Sequence, residues 1–131
     1  MKPLTEEWIT KAEGDFTTAQ RELGARKSLN FDAACFHTQQ CIEKYLKAIL
    51  QEHDIAIGKT HNLVALLDKI IEIYPHLEHL RTPLQELNAY ALDFRYPGES
   101  ADKEIASRAV SLCRDVRQIL IDEIMMQRLK Q

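Results

Sequence analysis

Apolar side chains recur every three or four positions along most of the chain, the spacing of one face of an α-helix. In the first segment Trp8/Ile9, Ala12, Phe16, Ala19 and Leu23 repeat in this way. Thr5 stands where a hydroxyl caps free backbone N–H groups, Glu6 and Glu7 suit the positive end of the helix dipole, and Gly24 closes the segment. A second, broader stripe runs through Phe31, Ala34/Cys35, Thr38, Cys41/Ile42, Tyr45/Leu46 and Ile49/Leu50 to about His53. A helix of that length covers about 35 Å at 1.5 Å per residue, which predicts the central helix of a bundle. Its opposite face carries Gln39, Glu43, Lys44, Lys47 and Gln51.

The segment DIAIGKTH breaks the pattern, with Gly58 as its turn residue. Thr60 is then the expected N-cap of a third helix through Leu63, Leu66/Leu67, Ile70/Ile71 and Tyr74, stopped by Pro75. Leu77 and Leu80 lead to a shorter fourth helix from about Pro83 through Leu84, Leu87 and Tyr90/Ala91 to Phe94. Pro97-Gly98 marks the clearest turn, Ser100 is the expected cap of the last helix, and Ile105, Ala109, Leu112/Cys113, Val116, Ile119/Leu120 and Ile124 extend the stripe. The tail MQRLKQ is expected to fray. Nothing alternates with the period of two that a strand requires. The pattern predicts an all-α chain, an up-and-down antiparallel bundle of four to five helices, forming one domain over residues 1–131 with its core between about 5 and 125.

Composition agrees with long helices, since only four Gly and four Pro interrupt 131 residues. With 17 basic against 20 acidic side chains, the net charge of −3 argues against sequence-independent coating of nucleic acid and leaves room only for a local basic groove. Cys35, Cys41 and Cys113 are odd in number and lack C-x-x-C spacing, so they read as free thiols, Cys35 and Cys41 as small core residues. The N-terminal residues form no apolar signal core, and no run reaches the roughly 18 apolar residues of a membrane span. A cytoplasmic chain without a membrane segment is the expectation.

Few residues offer chemistry. Glu72, His76 and His79 would share a face on a continuous helix, but Pro75 interrupts it and no further Cys/His pair has ligand spacing, so no metal is expected. Cys35 and His37 are two apart, which turns them to different faces of a helix. The motifs of nucleotide loops and of serine hydrolases are absent. Neither a cofactor nor a catalytic residue is therefore assigned. The basic residues give the better lead: Lys44 and Lys47 on the second helix, Arg95 before the Pro-Gly turn, and Arg108, Arg114 and Arg117 on the last helix. Lys44, Lys47 and Arg95 lining one groove would hold a phosphate, and Tyr96 would stack on a base. The alternative is a solvated face with scattered ion pairs. Asp15 lies in the apolar stretch of the first helix, where a carboxylate needs a partner, and His61 at the start of the third helix is the expected one.

Four stretches in combination carry a family resemblance. They are Trp8/Ala12/Asp15, FHTQQCIEKYLKAIL from Phe36 to Leu50, KTHNLVALL from Lys59 to Leu67, and FRYP from Phe94 to Pro97. Together they resemble the HEPN domain over roughly residues 5 to 125. That resemblance implies a four- or five-helix bundle, often dimeric, many of whose members pair with a small, separately encoded nucleotidyltransferase in toxin–antitoxin modules. Active members are metal-independent ribonucleases that use an R-x(4–6)-H motif near the start of a late helix. Here Arg95 is followed by YPGESADK, and none of the five histidines lies beyond it. An arginine without that histidine keeps electrostatic binding and lacks its proton-transfer partner. The resemblance thus implies a non-catalytic interaction or nucleotide-binding module, partnered by a second copy and by a nucleotidyltransferase, with a nucleotide or RNA as the candidate ligand. The alternatives are a ribonuclease toxin that uses His61 in place of the missing histidine, and a purely structural homo-oligomer.

Overall fold

The computed structural model describes residues 1–130, and among them every regular element is helical. The helices are α1 (Pro3–Gly24), α2 (Phe31–Glu52), α3 (Leu63–Ile70), α4 (Arg81–Asp93) and α5 (Lys103–Leu129), with a 3₁₀ segment, Pro75–Leu80, ahead of α4. The all-α bundle expected from the apolar pattern is the fold of the chain.

α2 lies at the centre and packs against all four other helices. Thirteen of its side chains are buried, among them Ile42, Tyr45, Leu46, Ile49 and Leu50. These meet Phe16 from α1, Leu63, Leu66, Leu67 and Ile70 from α3, Leu84 and Leu87 from α4, and Cys113, Val116 and Leu120 from α5 in one apolar core. α2 is so enclosed that its polar face is also covered: Gln39, Glu43 and Lys47 are buried with the rest. Each therefore needs a hydrogen-bonding partner inside the protein.

α1 runs antiparallel to α2. Thr5 at its start donates to Glu52 at 2.9 Å, and Asp15 near its middle meets Lys44 and His37. A clamp fastens α1, α2 and α5 together: Tyr45 and Arg117 both donate to Glu13, and the Arg117 guanidinium stacks 4.4 Å above the Phe16 ring. α3 and α4 are antiparallel, joined by Arg81 to Asp68 at 2.8 Å and by Asn88 to the Leu63 amide at 3.1 Å. α4 and α5 are antiparallel: Glu86 pairs with Arg108 early in α5, while His76, ahead of α4, bonds Glu123 late in α5.

Alternation stops between α2 and α3. The Tyr74 hydroxyl just beyond α3 meets His53 just beyond α2, whereas His61 just before α3 is bonded to Gln39 and Glu43 a few turns earlier in α2. Residues 53–62 therefore return alongside α2, and α3 repeats its direction. Gly58 at φ +70° makes the turn that this return requires, and Lys69 holds the loop by donating to the Ala56 carbonyl at 2.9 Å.

Several element ends differ from expectation. Lys2 and Pro3 open α1, and Thr5 is instead an inward-facing donor to α2. Asn62, accepting from the Val64 and Ala65 amides, caps α3, while Thr60 accepts the Asn62 amide one turn earlier. α3 stops at Ile70 rather than Tyr74, α4 starts two residues before Pro83, and Asp102 rather than Ser100 caps α5. α5 stays helical to Leu129 through most of the tail expected to fray, and Gln131 lies outside the described residues.

Candidate functional site

The return loop, the exposed flank of α2 and the end of α4 enclose a cavity of about 490 Å³. Phe36, Gln39 and Gln40 on α2 form one wall, Thr60, His61 and Asn62 the rim before α3, and Asn88, Ala91 and Leu92 on α4 the opposite wall, with Arg95 just beyond α4. The cavity is thus lined by four carboxamides, an imidazole, a guanidinium and a half-exposed aromatic ring. Carboxamides match the donor and acceptor edges of a base or sugar, the phenyl ring offers a stacking face, and the guanidinium suits an anion.

His61 is fixed at this rim from inside the bundle. Gln39 Nε2 donates to the His61 carbonyl at 2.8 Å, and the ring bonds through Nδ1 to Glu43 Oε2 at 3.1 Å. Glu43 also accepts from Lys47 at 2.9 Å and from Gln39 at 3.3 Å, and the Lys47 ammonium lies 5.6 Å from the centre of the Trp8 ring. The carboxylate and the ammonium are almost wholly buried, whereas the histidine side chain is 77% exposed.

The expected pairing of Asp15 with His61 does not occur. Asp15 meets His37 Nδ1 at 2.8 Å and Lys44 Nζ at 2.5 Å, and His61 takes Glu43 instead. The antiparallel register of α1 on α2 sets Asp15 opposite residues 37–44, out of reach of the loop before α3. Nor do Lys44 and Lys47 share a groove with Arg95, because each closes on a buried carboxylate. Arg108 and Arg117 are likewise paired, with Glu86 and Glu13, whereas Arg95 and Arg114 make no ion pair among the described residues, and of these two only Arg95 lines the cavity. Tyr96 follows it, exposed, outside the residues that line the cavity.

Cys35 is buried against Ala34, Ala106 and Ala109, facing away from His37. His76 bonds Glu123, and His79 bonds the His76 carbonyl. Among the described residues no group of three or more His, Cys, Asp or Glu is arranged to hold a metal. The cavity carboxamides Gln39, Gln40, Asn62 and Asn88 escaped the sequence reading. Gln39 stood only among the polar face of the second helix, and the one signal is Asn88, set between Leu87 and Ala89, where an amide is unusual unless it has a partner.

The described residues thus form an all-helical bundle with an amide-lined cavity between α2 and α4. The HEPN domain model matches residues 5–124, and the chain belongs to that family. Its fold is similar to that of TT1696 from Thermus thermophilus, with a TM-score of 0.76 and 21% identity over 90% of this chain and 96% of that one. It is also similar to ST0689, an archaeal HEPN homologue, with a TM-score of 0.66 and 23% identity over 95% of this chain and 99% of that one. No curated protein matches the chain. No helix among the described residues is long and apolar enough to cross a membrane.

Proposed function

We propose that this HEPN domain is a non-catalytic binding module that takes a nucleotide, free or as part of an RNA, in the cavity between α2 and α4. One observation carries the reading: Arg95 borders an amide-lined cavity without a carboxylate partner, while Lys44, Lys47, Arg108 and Arg117 are all engaged by acidic groups. The phosphate would meet the guanidinium, and the base would meet the carboxamides and Phe36. Titration with adenosine 5′-monophosphate tests this. Arg95→Ala is expected to weaken binding about tenfold, the worth of one charge-assisted hydrogen bond, and added salt to weaken it further. Superimposable curves for the two proteins exclude the cavity.

The family resemblance adds the setting: a cytoplasmic chain that pairs with a second copy and with a separately encoded nucleotidyltransferase in a toxin–antitoxin module. Phe36, Leu92 and Tyr96, large and exposed around the cavity, supply apolar area for such contacts. Purification from the native cell under mild conditions is expected to bring a nucleotidyltransferase with the chain, and recovery of a bare monomer rejects this setting.

A second reading, a metal-independent ribonuclease, draws on the shared lining of one cavity by His61 and Arg95. An imidazole that takes the 2′-hydroxyl proton beside a guanidinium that stabilises the phosphorane is competent chemistry. RNA breakdown in chelator that is lost in both His61→Ala and Arg95→Ala supports it. Breakdown that survives either change excludes it.

A further inference from the structure

His61 is held more firmly than a surface loop requires. Two residues one turn apart on α2 grip it, Gln39 by its carbonyl and Glu43 by its ring. Behind them Lys47 neutralises Glu43 in nearly full burial. Burying an ion pair costs desolvation that a loop anchor made of apolar side chains would avoid. The arrangement also has a chemical result. A carboxylate accepts only, so the Glu43 bond keeps the proton of a neutral ring on Nδ1. Nε2, on the far edge of a ring that lines the cavity, has no protein partner among the described residues.

We propose that Gln39, Glu43 and Lys47 form a mount that presents the His61 imidazole, Nε2 outward, to a phosphate held between it and Arg95. This rests on the nucleotide reading above and adds a condition to it. With its proton on Nδ1, the neutral ring offers only a lone pair at Nε2, which repels a phosphate oxygen. The ring becomes a donor there on taking up a second proton. Anion binding is therefore coupled to protonation of His61. The charged groups around the ring are Glu43 and, behind it, Lys47 on α2, and Arg95 beyond α4; Asn88 and Asn62 are neutral, and Lys59 precedes it in the loop. Of these, the imidazole is the group whose gain of a proton creates a donor at Nε2. Glu43 acts as a positioning residue, since it reaches the ligand only through the ring.

The test uses the full chain with ¹⁵N-labelled histidine. Long-range ¹H–¹⁵N spectra report the tautomer of His61 without ligand. Sulfate, whose charge is constant across the range, serves as anion probe, with adenosine 5′-monophosphate and adenosine beside it. The expected result is an Nδ1–H tautomer and a sulfate affinity that falls by up to about tenfold per pH unit as the ring loses its second proton. His61→Gln is expected to remove that pH dependence. Glu43→Leu with Lys47→Met replaces the buried pair by apolar side chains of similar size, which keeps the fold. The freed ring then populates the Nε2–H form, and the pH dependence flattens while binding at alkaline pH persists. An Nε2–H tautomer in the unaltered protein overturns the mount. So does nucleotide binding that is flat with pH and indifferent to His61→Gln, which leaves the nucleotide reading standing. Proton-coupled sulfate binding, with adenosine 5′-monophosphate bound no more tightly than sulfate, supports the mount and rejects the nucleotide.

Discussion

Glu13 joins three helices at one carboxylate, and its titration is the residue-scale handle on the bundle. Hydrogen bonds from Arg117 hold it below its ordinary value, burial opposes them, and the Tyr45 hydroxyl adds to the lowering. A carboxyl with a folded-state value below the unfolded one stabilises the fold above the unfolded value, and loses that contribution as pH falls through the folded one. Glu13→Gln is therefore expected to lower the Tm at neutral pH and to make its decline between about pH 5 and pH 2 shallower. An acid limb parallel to that of the unaltered protein would contradict this. The thiols give a second handle. Burial, with Asp32 and Asp102 adding to it, pushes Cys35 up to about 11, and Cys41 is raised by its hydrogen bond with Cys113 and by burial. All three cysteines are fully enclosed. Iodoacetamide at pH 8 is expected to leave the intact mass unchanged and to add three labels in urea, because only an exposed thiolate reacts.

Elements of this chain were legible in the sequence wherever one apolar stripe faced one core. α1, α2 and α5 follow from periodicity, and Gly24, Gly58 and Pro97-Gly98 mark real breaks. Ends were less legible, because Thr60 and Asn62, and Ser100 and Asp102, are rival caps two residues apart, and only the path of the incoming chain decides between them. Asp102→Ala is expected to cost about 1 kcal/mol in urea denaturation, the usual worth of a capping side chain. Asn62→Ala is expected to cost more, since Asn62 accepts from two backbone amides and from Asn88. Ser100→Ala is expected to cost less than about 0.5 kcal/mol, as an ordinary surface change does, and a loss equal to that of Asp102→Ala would return the cap to Ser100. Arg95 and His61 could be singled out from the sequence, but their neighbours could not. Whether Lys44 faces a ligand or a carboxylate depends on the register between α1 and α2, and the return of residues 53–62 along α2 leaves no periodic trace.

Across the whole molecule the helices are anchored to very different depths. α2 buries thirteen side chains, and α4 buries only Leu84 and Leu87. Apolar area removed from water is the main favourable contribution to holding a helix in place, so α4 is the weakest hold in the bundle. Amides in the middle of α4 are expected to exchange with deuterium faster than those in the middle of α2, with saturating adenosine 5′-monophosphate slowing α4 selectively if that nucleotide is bound. Equal rates in the two helices would count against this ranking. One wall of the cavity thus belongs to the part of the bundle that breathes most readily, and the other to the part that breathes least. A guest trapped between them would enter and leave by fluctuations of α4 alone, so its residence time would be set by how often that helix lifts rather than by the stability of the fold as a whole.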